Sequence, residues 1–111
     1  MNMANAKDFE REFHAGMEGL MEYEKLRINK CDESGIGLDL DGFVQCHQPF
    51  HKKFAAVKKG LVQKINFTSY AMNQCIKDSA EQKESPDGCV VTAVARVRKS
   101  FGESLQELKD L

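Results

Sequence analysis

Apolar residues recur every three or four positions along most of this chain and seldom alternate with polar ones, a pattern that predicts helices rather than strands. The first stretch runs from about Ala6 to Lys30. Phe9, Phe13, Met17, Leu20, Met21, Tyr23 and Ile28 fall there on one broad stripe, and acids fill much of the remaining surface. Gly16 and Gly19 interrupt it, each at a cost of about 1 kcal/mol relative to alanine, and close helix packing is the expected reason for them. Asp32 to Asp41 reads as a loop, broken by Ser34, Gly35 and Gly37, with Asp39 or Asp41 placed to cap the next helix.

Phe43, Cys46, Phe50, Phe54, Val57, Leu61 and Ile65 then hold one helical phase across Pro49. They predict a second helix from about Asp41 to Ile65, kinked or briefly broken at the proline; a short turn followed by a helix beginning at Pro49 is the alternative. Both put Cys46 on the buried side. A shorter third helix is expected from Thr68 to Lys83, with Met72, Cys75 and Ile76 inward, and Glu84 to Gly88 reads as a turn. The last helix spans about Cys89 to Asp110, with Val90, Val94, Val97, Phe101, Leu105 and Leu108 on its inner face.

Four amphipathic segments with short connections predict an all-α fold, an antiparallel four-helix bundle occupying residues 1–111 as a single domain. Its short third helix would leave a gap in one wall, the natural place for a groove. The length, 111 residues, suits one domain, and 41% apolar with 30% charged residues suits a globular chain. No apolar run is long enough to cross a membrane.

Cys31, Cys46, Cys75 and Cys89 change the picture most, because this layout gathers all four toward one end of the bundle. They are expected to form two structural disulfides, ahead of buried free thiols or a metal site. Matched heights on neighbouring helices favour Cys31 with Cys89 and Cys46 with Cys75; proximity in the chain favours Cys31 with Cys46 and Cys75 with Cys89. The choice stays open. His47 and His51, four apart, would share a helix face as a metal pair needs, but Pro49 lies between them, and the cysteine spacings match no common zinc module. No metal and no cofactor is expected.

Charge is unevenly spread behind a net value of −1. Met1 to Gln48 holds ten acids against five bases, whereas Pro49 to Lys64 holds five lysines and no acid. Met1 to Asp8 is polar and resembles no secretory leader, as would also be true of a mature domain. The sequon Asn66-Phe67-Thr68 marks Asn66 as a glycosylation candidate and, with the cysteines, points to an extracellular location. A cytoplasmic location is the alternative.

Catalysis finds little support. His14, His47 and His51 accompany no nucleophile motif and no phosphate loop, and Cys46 beside His51 reads as a bridged or inert cysteine. The expectation is a secreted, non-enzymatic binding module, monomeric or homodimeric, working in one of two ways. It could carry an apolar small molecule among Met17, Phe43, Phe50, Phe54, Met72 and Phe101. It could instead meet an acidic protein or anionic surface through Lys52, Lys53, Lys58, Lys59 and Lys64, joined by Arg96, Arg98 and Lys99. The lysines come without interleaved exposed aromatics, so specific nucleic-acid binding is not expected. An intracellular helical adaptor with reduced cysteines is the alternative.

Overall fold

The computed structural model of the chain describes residues 6–31 and 39–110. These form three helices: α1 (Ala6–Cys31), α2 (Leu40–Glu81) and α3 (Asp87–Lys109). The all-α class stands, but the four-helix bundle does not. The expected second and third helices are one continuous element of 42 residues, about 63 Å long at 1.5 Å per residue.

The core positions explain that continuity. Phe50, Phe54, Val57, Leu61, Ile65, Thr68 and Met72 are all buried, and their three- and four-residue steps never lose phase between Ile65 and Thr68. Asn66, Thr68 and Ser69 are weak helix formers, yet the helix runs through them. Thr68 sits on the buried stripe because its hydroxyl donates to the Lys64 carbonyl at 2.8 Å, leaving no unmet polar group. Pro49 is exposed and lies inside α2, so the expected break does not occur there.

Asp39 caps α2, its carboxylate accepting from the Asp41 N–H at 3.1 Å; the rest of the expected loop, with Ser34, Gly35 and Gly37, lies outside the described residues. At the other end Lys83 takes a left-handed φ of 57°, and the Glu84 N–H reaches back to the Ser79 carbonyl at 2.8 Å. That pair of features ends the helix.

α2 is therefore a spine, with α1 and α3 lying antiparallel to it and parallel to each other. Cys31, at the end of α1, is bonded to Cys46 near the start of α2, with a Cα separation of 5.8 Å. Cys75, near the end of α2, is bonded to Cys89 at the start of α3, with a Cα separation of 5.7 Å. The pairing is the one proximity favoured. The four cysteines are not gathered at one end, since an unbroken α2 carries the two bridges to opposite ends of the molecule. Cys46 is exposed rather than on the buried side.

Helix α1 overlaps α3 only over the middle of the spine. There Gly16 faces the Phe101 ring so closely that a β-carbon would overlap it, and Arg98 grips Glu12. The core joins Phe9 and Leu20 of α1 to the α2 stripe and to Val90, Ala93, Val97, Phe101 and Leu108 of α3. Overlap by offset halves makes the molecule long, 63 × 26 × 19 Å, with a Cα radius of gyration of 18.5 Å. A compact chain of this length would have about 13 Å.

Candidate functional site

The six residues expected to line an apolar ligand site are mostly packed on one another. Phe50, Phe54, Met72 and Phe101 are buried in the core, while Met17 and Phe43 are half-buried. The Phe50 ring lies 5.7 Å from that of Phe54 and 5.9 Å from that of Tyr23 between centroids. The Arg27 guanidinium lies 5.0 Å over the Phe50 ring, closing it from solvent with a cation–π contact. Met72 and Phe101 also border surface grooves: Met72 one between α2 and α3, Phe101 a small one beside Gly16 and Gly19.

All five lysines of the expected stripe are exposed. At about 100° per residue they do not form one row. Lys53 and Lys64 share the flank of α2 that leads to the α3 side. Lys52 and Lys59 point outward, opposite the core, in line with Tyr70 and Lys77, and Lys58 stands alone on the other flank. From Gly42 to Ile76 the helix contains no acid at all. Among the described residues none of these α2 lysines makes an ion pair.

The three cations expected from the last helix separate. Arg98 turns to α1, donating from Nε and Nη2 to the two carboxylate oxygens of Glu12 at 2.9 and 3.1 Å. This two-pronged bond lowers the Glu12 pKa below the ordinary carboxylate value and raises that of Arg98. Lys99 is 3.9 Å from Glu103 on its own helix. Arg96 instead faces the α2 side, bordering a groove with Lys64.

That groove is the main feature the sequence did not disclose. It lies between α2 and α3 and no α1 residue borders it. Its wide part, about 580 Å³, is bordered by Gly60, Lys64, Phe67, Arg96 and Lys99. It continues past Thr68 and Arg96 into a narrower part of about 220 Å³, bordered by Ala71, Met72, Thr92, Ala93 and the Cys75–Cys89 bridge. The gap expected beside a short third helix does not exist. Small residues at helical spacing on both walls hold this one open. Phe67, off the core stripe and 66% exposed, was the available signal for a working face here.

His47 and His51 do share one side of α2 across Pro49, with ring centroids 5.6 Å apart. The Nδ1 atom of His47 is buried without a hydrogen-bond partner. Among the described residues no three His, Cys, Asp or Glu side chains converge as a metal centre requires. Cys46, weighed as a partner for His51, is held in its disulfide and offers no thiol. Asn66 is exposed at the middle of α2, whereas Thr68 of its sequon is buried and hydrogen-bonded.

Fold and surface together define a small, all-helical, disulfide-bonded protein in which no described helix is long and apolar enough to cross a membrane. Comparison with known protein families, curated proteins and solved structures finds nothing that matches this chain.

Proposed function

We propose that this protein is an extracellular, non-enzymatic binding module that engages a linear polyanion, of the kind a sulfated polysaccharide presents, along the acid-free stretch of α2. One observation carries the reading. Lys52, Lys53, Lys58, Lys59, Lys64 and Lys77 stand along about 38 Å of a single helix, unpaired among the described residues and with no carboxylate between them. Like charges held on a rigid rod repel one another, and a polyanion laid along it relieves that repulsion. The extracellular part rests on the two bridges, a form of cysteine that persists in oxidising compartments. Their presence favours this reading over an intracellular adaptor with free thiols.

Retention on immobilised heparin tests it. The protein binds at low ionic strength and is released as added salt shortens the Debye length to a few ångströms. Charge reversal of Lys52 and Lys59 together weakens retention, while reversal of Lys7 and Lys109, outside α2, does not. Flow-through at low salt would overturn the reading.

A further inference from the structure

We propose that the α2–α3 groove is a binding site for a monomeric long-chain fatty carboxylate, its chain in the narrow apolar part and its head among Lys64, Arg96 and Lys99. The two parts adjoin along the α2–α3 seam, with Thr68 and Arg96 bordering both. From Lys64 to Cys75 the α2 wall extends about 16 Å, enough to lay down most of one extended acyl chain from a head held at Lys64. Both parts together fall in the size range of small-molecule sites.

The chemistry changes along the channel in the order an amphiphile requires. The narrow end is floored by Ala71, Met72 and Ala93, and the Thr68 hydroxyl beside them is already spent on the Lys64 carbonyl. Nothing in that floor demands water. Phe67, bordering the wide part, is 66% exposed, and an alkyl chain laid across it would remove that surface from solvent. The wide end gathers Lys64, Arg96 and Lys99 against a single carboxylate, Glu103, which sits 3.9 Å from Lys99. Lys64 and Arg96 keep their charge unmatched there, among the described residues. One excess-positive end beside an apolar trough selects a chain with an anionic terminus. A polysaccharide has no segment for the trough, and a two-chain lipid has one chain too many for it.

The inference shares Lys64 with the polyanion reading but is separable from it, since Lys52 and Lys59 lie outside the channel. The test is a calorimetric titration with oleate kept below its micellar concentration, alongside oleyl alcohol and anionic phospholipid vesicles. Saturable binding of one oleate per protein is expected, about tenfold weaker in Arg96→Glu and in Ala71→Leu, which fills the trough without removing a charge. Oleyl alcohol is expected to bind several-fold more weakly than oleate. Lys52→Glu/Lys59→Glu is expected to bind oleate as the unaltered protein does while losing heparin. Absence of saturable oleate binding overturns the proposal, as does binding indifferent to both groove substitutions. Binding to vesicles without binding to free oleate would overturn it in favour of a membrane-surface contact.

Discussion

Replacing Gly16 and Gly19 by alanine, one at a time, should change stability in opposite directions. Both glycines lie inside α1, one turn apart, and alanine at either gains up to about 1 kcal/mol of helix propensity. At Gly19 nothing lies within 4 Å of the new β-carbon, so the gain is kept. At Gly16 the new carbon would overlap three atoms of the Phe101 ring. That ring is buried, its centroid 6.3 Å from that of Phe13, and Arg98 three residues earlier is tied to Glu12, so it cannot swing aside cheaply. Overpacking of this kind costs about 1–3 kcal/mol, which equals or exceeds the propensity gain. Gly16→Ala should therefore be up to about 2 kcal/mol less stable than the parent, and Gly19→Ala about 0.5–1 kcal/mol more stable. Urea unfolding followed by circular dichroism, with the disulfides intact, resolves a gap of that size. Adding Phe101→Leu to Gly16→Ala should cost less than the two changes do separately, because the smaller side chain relieves the overlap. Equal stabilisation by both alanines would refute the close α1–α3 contact.

Other perturbations probe the spine and its ends. Pro49→Ala restores an N–H for the Gln45 carbonyl inside an unbroken helix, and should stabilise by about 1–3 kcal/mol in chemical denaturation; a helix starting at Pro49 would gain nothing. Replacing Cys75 and Cys89 by serine opens a loop of 14 residues and should cost about 3 kcal/mol on chain-entropy grounds. Hydrogen exchange in that variant should rise near 69–93 while the Cys31–Cys46 end stays protected. Phe50→Ala, which empties a site 2% exposed at the centre of an aromatic cluster, should cost about 3–5 kcal/mol by the same denaturation. Glu12→Gln removes a carboxylate whose pKa is lowered in the folded state, so it should melt below the parent at neutral pH. The sign comes from that lowering: the parent's advantage is present above the ordinary carboxylate range and disappears as pH falls through the Glu12 pKa, where the two melting curves should converge.

Much of the fold was legible because one apolar stripe per helix governs it. The helix runs through Pro49 with the stripe from Phe50 to Ile65 buried as expected, though Cys46 is not, and the limits of α1 and α3 fall within a few residues of those expected. Continuity at Asn66–Ser69 was not legible. Local propensity argues for an end there, and only burial of Thr68 against a distant helix argues for continuation. That one misreading turned one helix into two, folded the chain back on itself and brought the cysteines to one end. The cationic character of Lys52 to Lys64 needed only counting. Its division into two rows and a solitary lysine needed the helix to be one piece, and the diversion of Arg98 to Glu12 depends on a contact 86 residues apart. The groove escaped notice because it is made of absences, small side chains on two helices whose register was not known.

The unbroken spine is the claim on which the cationic face and the groove depend. Electron–electron distance measurement between nitroxides at His51 and Lys77, attached through encoded ketone side chains so that the disulfides stay intact, tests it directly. One continuous helix places these two backbone positions about 39 Å apart. A narrow distribution near that value, broadened only by the label arms, is the expected result. A distribution centred near about 15 Å, as a chain reversed after Ile65 would give, would contradict the account.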